Sequence, residues 1–519
     1  STNNNTLSHN QIRSLYSNAV YVYSSYNNTL YDNILNSSTP VAFSGTLYSN
    51  IWNTSLTNTS GPNIINGSWI GGNFYANSSN TAFSQVCVDE DADGICDDNN
   101  TLAAGNIDFL PIASLNPPVT QCMNLTIPFR TYTLNQNVSS NGTCFDVQAS
   151  DITLDCNGNM IQYSNTSTGY GVNSNGYNNL NLKNCILKTS RTDGSYPIYI
   201  RYGSNNTLNN NTIEAKTSRG IVFLYAPDGT IANNTVLMDG TSTTAYGIAI
   251  YSSNSTHILD NSVLVNGPGT SNGMYLERSG HAQVYRNNIT CNVFGIRINS
   301  ATANLTFSDN ILTTGSVGMI LPSNSGMANT VINTTFNSSY PTTVSFTYDG
   351  NINVSGSNGQ ALGSLFNVSK YIAITNGSSA WVYLNISYND SGLGFDESKL
   401  RVYKYNGSSW GQVSGINGVD TANNIVYANL TQFSTFAPLA NASELYGCEN
   451  LTVENGTYRL MGDVSSNQTC FNIQANNITL DCDGYAVNYS ALITGYGVRM
   501  NGISYATIKN CNFVQANSS

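Results

Sequence analysis

An acidic loop near residue 90 concentrates side chains that could bind a metal ion. It reads Cys87-Val-Asp89-Glu-Asp91-Ala-Asp93-Gly94-Ile-Cys96-Asp97-Asp98. Carboxylates at alternate positions followed by glycine suit Ca²⁺, a hard cation that takes about six to eight oxygen ligands. We therefore predict a structural calcium site in this loop. Its expected ligands are Asp89, Asp91, Asp93, the backbone carbonyl of Ile95, Asp97 and Asp98.

The same loop departs from one common calcium-binding pattern. An EF-hand places glutamate at the last ligand position of its loop, and Asn100 stands there in this sequence. A solvated acidic turn without an ion is the alternative interpretation. Carboxylates this close together repel one another unless a cation lies between them, so the sequence favours calcium.

Paired carboxylates for glycoside hydrolysis are the second chemistry to consider. That reaction needs two carboxyl groups on either side of one bond, at a defined separation. The repetitive part of the chain, residues 171–312, contains few acidic residues: Asp193, Glu214, Asp228, Asp239, Asp260, Glu277 and Asp309. Glu277 is expected near Arg297, with no second carboxylate beside it. We predict no catalytic residues, and a polysaccharide-degrading enzyme remains the alternative.

The three histidines, His9, His257 and His281, are scattered in sequence and show no metal-ligand spacing.

Net charge and hydropathy exclude further classes of function. The chain carries a net charge of −11 with only 18 Lys and Arg in 519 residues, whereas phosphate binding needs clustered cations. No apolar run is long enough for a membrane span, and no signal peptide precedes Ser1, which we interpret as a mature or excerpted start.

A repeated apolar phrase indicates which elements position these residues. It begins with a small residue or Pro and continues with an apolar-x-apolar triplet. It occurs as Pro197-Ile-Tyr-Ile200, Gly220-Ile-Val-Phe223, Gly247-Ile-Ala-Ile250, Gly273-Met-Tyr-Leu276 and Gly295-Ile-Arg-Ile298. An apolar period of two inside a repeat of this length predicts one strand-built coil per repeat, and therefore a parallel β-helix. A β-sandwich, with tight turns and no fixed columns, is the alternative fold.

The predicted register makes two aliphatic columns inside the helix, one through Ile198 and one through Ile200. A second phrase places Asn two residues before an aliphatic residue, as in Asn184/Ile186, Asn211/Ile213, Asn234/Val236, Asn261/Val263, Asn287/Ile289 and Asn310/Leu312. Asn tolerates left-handed backbone and its amide can bond the neighbouring coil. We therefore assign these asparagines a structural role at coil corners.

The first 111 residues end in an order of motifs that resembles a known family. Coil-like phrases over residues 6–52 lead to the Gly-rich stretch 61–74, then to the acidic loop, then to Asn106-Ile-Asp-Phe-Leu-Pro111. This order resembles the closing segment of NosD-type right-handed β-helix proteins of the prokaryotic cell surface. The loop itself resembles the calcium loops of thrombospondin type 3 repeats, which implies that Cys87 and Cys96 staple it.

The 64 residues that begin at Cys122 recur without a gap from Cys448. We name the coils that contain the two copies the first cap segment (residues 122–189) and the second cap segment (residues 448–515). Their shared pattern of a cysteine, a strand and Asp-Cys-x-Gly resembles the opening cap of the same family. The resemblance implies that Cys122 pairs with Cys144 and Cys156 with Cys185, and that Cys448, Cys470, Cys482 and Cys511 repeat the pattern. Four cysteines allow three pairings, and sequence alone does not choose among them. Cys291 is left over as a buried thiol.

Residues 328–440 change character. Longer alternating strands separated by Asn-Gly and Ser-Gly turns predict an antiparallel sandwich. The stretch 429–438 resembles the last strand of sandwich modules of archaeal surface proteins, and Trp410 and Phe433 are expected in its core. We thus predict an all-β chain of right-handed parallel β-helix segments and a β-sandwich. The expected domains are 1–116 (terminal coils with the calcium loop), 117–327 (capped β-helix), 328–441 (sandwich) and 442–519 (opening cap of a further β-helix).

Sequons of the form Asn-x-Ser/Thr are dense throughout the chain and predict N-linked glycans. Representative sites are Asn58, Asn77, Asn205, Asn254, Asn337, Asn376, Asn406 and Asn455. Regularly spaced cysteines indicate an oxidising compartment. We expect an extracellular protein of the cell surface.

The two ends of the sequence suggest how the protein assembles. It opens with coils that no cap precedes and stops at Ser519 just after an opening cap, so we expect head-to-tail stacking of copies into a filament or layer. A window of a longer tandem protein is one alternative. A glycan-binding adhesin that uses Tyr199, Tyr251 and Tyr275 on one outer face to hold surface polysaccharide is another.

Overall fold

The chain, seen in a computed structural model, divides into two compact units, Ser1–Leu237 and Met238–Ser519. The structure describes residues 2–58, 62–65, 67–79, 81–89, 93–114, 118–189, 191–192, 194–239, 244–267, 269–299, 302–324, 328–362, 365–375, 380–391, 393, 397–441, 444–452, 454 and 456–516. Helix is nearly absent from the described residues. Apart from a four-residue helix, α1 (Phe83–Val86), and a 3-10 turn (Glu397–Lys399), the regular structure consists of strands.

The first unit consists of short strands, most of them three to six residues long. They are β1 (Thr6–Ser8), β2 (Gln11–Arg13), β3 (Asn18–Tyr23), β4 (Thr29–Tyr31), β5 (Ile34–Asn36), β6 (Thr39–Ser44), β7 (Thr57–Asn58), β8 (Trp69–Ile70), β9 (Phe74–Ala76), β10 (Asn100–Ala103), β11 (Asn106–Asp108), β12 (Pro118–Val119), β13 (Met123–Leu125), β14 (Thr131–Leu134), β15 (Val138–Ser139), β16 (Phe145–Val147), β17 (Thr153–Asp155), β18 (Met160–Gln162), β19 (Tyr170–Asn175), β20 (Asn181–Lys183), β21 (Ile186–Thr189), β22 (Tyr196–Arg201), β23 (Thr207–Asn209), β24 (Thr212–Ala215), β25 (Arg219–Leu224), β26 (Thr230–Ala232) and β27 (Thr235–Met238).

Parallel pairing between successive coils begins at the first strands. β1 pairs with β4, β2 with β5 and β3 with β6, each in parallel register. Pairing with the next coil continues from β13 to β25, for example β19 with β22 and β22 with β25. Three strands make each coil, so strands of the same kind stack into three parallel ladders.

The predicted aliphatic columns are present in the first unit. Ile198 lies opposite Ile221, and Ile200 opposite Phe223. All four side chains have no exposed surface. Burying a side chain of this size contributes roughly 1.5–3 kcal/mol relative to leaving it in water, so each added coil extends one continuous apolar core.

The second unit contains the remaining strands. They are β28 (Tyr246–Tyr251), β29 (His257–Leu259), β30 (Ser262–Val265), β31 (Asn272–Glu277), β32 (Gln283–Tyr285), β33 (Asn288–Cys291), β34 (Phe294–Asn299), β35 (Thr306–Ser308), β36 (Ile311–Thr314), β37 (Val317–Leu321), β38 (Thr330–Asn337), β39 (Thr342–Asp349), β40 (Ile352–Gly356), β41 (Leu365–Asn367), β42 (Ile372–Thr375), β43 (Trp381–Ser387), β44 (Arg401–Tyr405), β45 (Trp410–Gln412), β46 (Asn417–Asp420), β47 (Ile425–Leu430), β48 (Thr435–Asn441), β49 (Glu444–Leu445), β50 (Asn450–Leu451), β51 (Thr457–Leu460), β52 (Val464–Ser465), β53 (Phe471–Ile473), β54 (Thr479–Asp481), β55 (Ala486–Tyr489), β56 (Val498–Met500), β57 (Thr507–Lys509) and β58 (Asn512–Gln515).

Coils of the second unit follow the same register. Met274 lies between Ile248 and Ile296, and Leu276 between Ile250 and Ile298. The all-β parallel β-helix predicted from the repeat is therefore confirmed, and the alternative of a sandwich in this stretch is wrong. A period-two pattern alone does not separate the two folds. The return of the same phrase every 22 to 27 residues separates them, because each phrase must meet its equivalent in the next coil.

Buried asparagines form hydrogen-bonded ladders at the coil corners. In the second unit the Oδ1 atom of Asn287 accepts the backbone N–H and the amide N–H of Asn261, both at 3.0 Å. The backbone N–H and the amide N–H of Asn287 in turn both donate to Asn310 Oδ1 at 3.1 Å. The same contacts join Asn211 to Asn234 in the first unit. The structural role predicted for these asparagines is present.

Two details of that prediction need correction. Asn184 is not part of the ladder, because the next residue, Cys185, takes the ladder position and donates its N–H to Asn211. The ladder asparagines also do not carry the left-handed backbone. Positive φ falls one residue earlier, at Asn210 (56°) and Asn233 (57°), where the chain turns before the buried amide.

The predicted sandwich follows the coils of the second unit without a break in strand pairing. β38 pairs in parallel with β35 and β36 on one side and antiparallel with β39 on the other. Beyond this strand the pairing is antiparallel in both sheets, β39–β43–β47–β46 and β40–β42–β48–β44–β45. Trp410 packs at the edge of a small core that includes Tyr371 and Leu439, whereas Phe433 is only half-buried.

The second cap segment returns to parallel coils. Its ladders are β49–β51–β54–β57, β50–β53–β56 and β52–β55–β58. A buried cluster that includes Leu451, Phe471 and Leu480 forms its core. The described residues include no helix with the length and hydrophobicity needed to cross a membrane.

Five disulfides fasten the caps and the acidic loop. The pairs are Cys87–Cys96, Cys122–Cys144, Cys156–Cys185, Cys448–Cys470 and Cys482–Cys511. This is the pairing that the family resemblance implied, and Cys291 is a buried free thiol. In both caps the bridges join adjacent coils, where an extra covalent link restricts the unfolded chain.

Candidate functional site

The acidic loop is a tight turn fastened to the strand segment that follows it. Gly94 adopts a φ of +88°, which favours glycine, and its N–H donates to Asp89 Oδ2 at 3.1 Å. The next N–H, of Ile95, donates to Asp93 Oδ1 at 2.8 Å. Ile95 itself is buried and forms a bridge to Ile112. The disulfide and this bridge hold the turn from both sides.

The predicted calcium ligands are only partly brought together among the described residues. Asp89 is buried and Asp93 half-buried, and both carboxylates face the turn at Gly94. Asp97 and Asp98 are exposed. Glu90 and Asp91 lie outside the described residues. Two carboxylates at one glycine turn are chemically suited to a hard cation, and the calcium site stays a prediction.

A buried carboxylate that the sequence did not single out lies next to this loop. Asp108 has no exposed surface, and its Oδ2 atom accepts the backbone N–H of Asn73 at 2.8 Å and the hydroxyl of Tyr75 at 2.9 Å. Asp108 Oδ1 accepts the N–H of Leu110 at 3.1 Å. Burial raises the pKa of Asp108 to about 7, against these hydrogen bonds, which lower it.

Asp108 continues a ladder of the first unit, which explains its position. Asn10 bonds Asn33, Asn33 bonds Asn73, and Asn73 bonds Asp108. A parallel ladder ends at Asn106, which accepts the indole N–H of Trp52 at 3.0 Å. The recurrence of Asn at two corners of each coil is the signal that could have located both residues.

Tyrosines on one outer face of the first unit stack along the coil axis. The rings of Tyr170 and Tyr199 are 5.2 Å apart and nearly parallel, and those of Tyr202 and Tyr225 are 5.3 Å apart. Arg201 lies 4.4 Å from the centre of the Tyr202 ring. Because stacked rings cover each other's faces, mainly ring edges and hydroxyls are left for a ligand.

The corresponding face of the second unit does not present Tyr275 as predicted. Tyr275 is 7% exposed, because the rings of Tyr246 and Tyr251 pack against it at 4.8 Å and 5.5 Å. Its hydroxyl donates to Glu277 at 2.9 Å and accepts from Asn299 at 2.8 Å. Burial and the Glu277 hydrogen bond raise the pKa of Tyr275 to about 12. Tyr275 is therefore a packing residue.

Glu277 was the most plausible catalytic carboxylate on this face. Its Oε1 atom accepts a hydrogen bond from Arg278 at 2.8 Å, and this contact lowers the pKa of Glu277 below its ordinary value. A general acid in glycoside hydrolysis must keep its proton near neutral pH, which requires a raised pKa. The surroundings of Glu277 therefore favour its ionised form, which accepts a hydrogen bond from the hydroxyl of Tyr275.

Most of the representative sequon asparagines lie at the surface. Asn58, Asn205, Asn254, Asn337 and Asn406 are exposed. Asn77 is half-buried, and its amide donates to Thr81 at 3.0 Å. Asn376 and Asn455 lie outside the described residues.

Comparisons with known proteins agree with the fold. Residues 1–80 and 129–294, just under half of the chain, match the protein-family model described as NosD, periplasmic copper-binding protein. These stretches contain parallel coils, so over just under half of its length this parallel β-helix chain is similar to NosD. No curated protein matches the chain.

Two solved structures are similar to part of the chain. PfbA, a surface adhesin of Streptococcus pneumoniae, is 11% identical with a TM-score of 0.26, over 67% of this chain and 88% of that one. The Dettilon tailspike protein is 11% identical with a TM-score of 0.20, over 62% of this chain and 87% of that one. At such scores neither structure carries an argument about function.

The copper named in the family description finds no matching ligand set among the described residues. His9 contacts Asp32 at 2.7 Å, while His257 and His281 are exposed. In the part of the chain that the structure describes, no three His, Cys, Asp or Glu side chains form a group that could hold a metal ion. The described residues do not fit a copper site.

The disulfides, together with the NosD-like coils, place the chain outside the cytoplasm. Disulfides persist in oxidising compartments and are rare where thiols are kept reduced. The residues that the structure describes form five of them, two in each cap and one in the acidic loop. We therefore describe it as an envelope or extracellular protein.

The buried Asp108 makes the stability of the first unit depend on pH. Its pKa is about 7 in the folded chain and about 4 in the unfolded chain, so the folded state binds its proton more tightly. The resulting stabilisation, of the order of 4 kcal/mol, is complete below pH about 4 and is lost as the pH rises through about 7. Urea unfolding of the first unit at pH 5 and pH 8 measures it. Asp108→Asn should abolish this dependence, and an unchanged dependence in that variant would show that another group causes it.

Proposed function

We propose that this protein is a non-catalytic structural subunit of a cell-surface filament or layer, heavily N-glycosylated and assembled head to tail by stacking of β-helix coils. The observation that carries the proposal is a difference in burial between the two cap segments. They share sequence and coil pairing, yet equivalent positions face apolar neighbours in one and water in the other.

The last coil of the second cap segment has an exposed apolar face. Leu187 has no exposed surface, whereas the equivalent Phe513 is 40% exposed. Ser174 is likewise fully buried and its equivalent, Met500, is 52% exposed. In the first cap segment the coil formed by β22, β23 and β24 covers these positions.

The first coil of the chain has a complementary face. Leu7 and Ile12 are half-buried, whereas Leu30 and Leu35, their partners in the following coil, are buried. Exposed strand edges and aliphatic coil faces attract further strands. A contact between two different faces is heterologous and does not close on itself, so repeated stacking gives a filament.

The surroundings of Glu277 support the non-catalytic part of the proposal. Its nearest described polar partners are Tyr275 and Arg278, and the lowered pKa opposes a general acid. The exposed sequon asparagines support glycosylation, because acceptor sites must reach solvent. A native mass equal to that of the bare 55.8 kDa polypeptide would contradict it.

We include in the proposal a structural calcium ion in the acidic loop, bound through Asp89, Asp91 and Asp93. The ion would neutralise carboxylates that face one turn. Because its ligands converge only in the folded chain, binding favours the folded state.

Removing calcium should destabilise the first unit. At a calcium concentration about one hundred times Kd, binding adds about 2.7 kcal/mol, so excess chelator should lower the melting temperature by several degrees. Asp93→Asn should no longer respond, and Asp228→Asn, an exposed carboxylate of the same unit, should respond like the wild type. An identical melting curve with and without chelator, on protein first shown to contain calcium, rules the ion out as a structural element.

A charge on the stacking face should prevent assembly. Ile508 is the half-buried member of β57 and lies opposite the buried Leu480, on the inner side of the coil, whereas Thr507 beside it is exposed. Ile508→Asp should convert polymers to monomers in sedimentation velocity and electron microscopy, whereas Thr507→Asp should leave them intact. Deletion of residues 448–519 should act like Ile508→Asp. The proposal is wrong if full-length and truncated chains are both monomers of equal stability.

A further inference from the structure

The outer face of β22 carries an arginine between two tyrosines. Ile198 and Ile200 are buried in the core, so the residues that alternate with them, Tyr199 and Arg201, lie on the outside of the coil. Tyr202 follows at the corner where the strand ends, and it is 50% exposed. We name Tyr199, Arg201 and Tyr202 the arginine–tyrosine site.

The guanidinium of Arg201 uses only part of its hydrogen-bonding capacity within the described chain. Its Nη2 donates to the hydroxyl of Tyr202 at 2.8 Å, and its Cζ lies 4.4 Å from the centre of the Tyr202 ring. Its Nε is buried and has no hydrogen-bond partner among the described residues. A guanidinium that stacks on a ring still presents N–H groups in its own plane, which is the arrangement that binds a carboxylate. Nη1 and the second N–H of Nη2 are therefore the groups left for an anion.

Arg201 forms no ion pair with any residue that the structure describes. Other arginines of the chain do, since Arg278 contacts Glu277 at 2.8 Å and Arg286 contacts Asp260 at 2.7 Å. The side chains that act most on the charge of Arg201 are tyrosines. Its positive charge is thus available to a ligand.

A carboxylate on the same outer face is already hydrogen-bonded elsewhere. Asp146 lies opposite Asn173, which lies opposite Tyr199, so Asp146 is two strand spacings, about 9.5 Å, from this tyrosine. Its Oδ1 atom accepts the amide N–H of Asn173 at 2.6 Å, and its Oδ2 atom accepts that of Gln148 at 2.9 Å. Asp146 therefore does not neutralise Arg201.

Stacked tyrosines support the site on both sides. The rings of Tyr170 and Tyr199 are 5.2 Å apart, those of Tyr202 and Tyr225 are 5.3 Å apart, and both pairs are nearly parallel. Stacking covers the ring faces and leaves the hydroxyl groups. Burial raises the pKa of Tyr199, so its hydroxyl keeps its proton at neutral pH and can donate a hydrogen bond.

The backbone at the corner of the site is unusual for tyrosine. Tyr202 has a φ of 56°, and Tyr225, at the same corner of the next coil, has a φ of 52°. Gly176 occupies this corner in the preceding coil with a φ of 92°. The left-handed region suits glycine and is strained for a bulky side chain. Tyrosine at two successive corners is therefore better explained by a role at the surface than by the needs of the fold.

We propose that the arginine–tyrosine site binds a carboxylated sugar of a glycan. The sugar carboxylate pairs with the guanidinium of Arg201, and the sugar hydroxyls form hydrogen bonds with the hydroxyl groups of Tyr199 and Tyr202. This site goes beyond the filament proposed above and does not depend on it, because all of its residues belong to the first unit of one chain.

The surroundings favour a carboxylated sugar over other anions. A polyanion is disfavoured, because the chain carries a net charge of −11 and has only 18 Lys and Arg in 519 residues. A single carboxylate on a largely neutral glycan escapes most of this repulsion. An apolar acid is disfavoured because the stacked rings present hydroxyl groups and edges, which suit a ligand rich in hydroxyls.

Saturation-transfer NMR with matched probes tests the proposal on the full-length protein. Methyl glucuronide and methyl glucoside differ only in the carboxylate, and acetate carries a carboxylate without a sugar. We expect methyl glucuronide to bind at least about tenfold more tightly than either of the others. Arg201→Gln should weaken glucuronide binding at least about tenfold. Tyr202→Phe, which keeps the ring and removes the hydroxyl, should weaken it about threefold or more.

Arg130→Gln is the matched control, because Arg130 lies 4.9 Å from the centre of the Tyr132 ring but outside the site. It should leave binding unchanged. Urea unfolding checks that each variant is folded, and Tyr202→Phe carries the test if Arg201→Gln is not. Equal affinity for glucuronide and glucoside, or unchanged binding by folded Arg201→Gln, overturns the pairing with Arg201. Acetate binding as tight as that of glucuronide overturns the sugar as the ligand. Failure of glucuronide to bind at millimolar concentrations overturns the site, whether or not the protein forms polymers.

Discussion

The structure depends on the need to satisfy backbone and side-chain hydrogen bonds at every buried coil corner. Between corners, the backbone N–H and C=O groups form hydrogen bonds with the neighbouring strands of a ladder. At a corner the chain turns inward, and no strand partner is available there. Asn287 solves this by bonding both neighbouring coils through one amide: its Oδ1 atom accepts from Asn261, and its amide N–H groups donate to the Ile258 carbonyl and to Asn310. A buried polar group without partners would cost roughly 1–3 kcal/mol, so the ladder fixes the register of every coil.

The special features of the chain occur where the ladder is interrupted. At the caps a disulfide replaces it, since Cys185 occupies a ladder position and Cys156 bridges to it. Beside the acidic loop the ladder continues into Asp108, whose carboxylate is fully buried. Closure of the caps and the position of the buried carboxylate are thus consequences of one repeated contact.

The sequence predicted the structural features that recur in every coil. Period-two apolar triplets identified the columns of Ile198 and Ile200, because the same two inward positions are apolar in every coil. The sequence did not predict the burial of residues that pack against neighbours of a different type. Tyr275 is buried by Tyr246 and Tyr251, whose ring positions no pattern encodes. The corner role of Asp108 was hidden because 39 residues separate Asn33 from Asn73 and break the apparent spacing.

The stability of a ladder asparagine variant tests the account most directly. Asn287→Ala removes the acceptor of Asn261 and the donor to the Ile258 carbonyl, so we expect a loss of about 3 kcal/mol or more in the unfolding free energy of the second unit. Gln283→Ala, an exposed position on the same coil, should change it by less than about 0.5 kcal/mol. Equal, small effects of both substitutions in denaturant unfolding would contradict the ladder as the source of coil register.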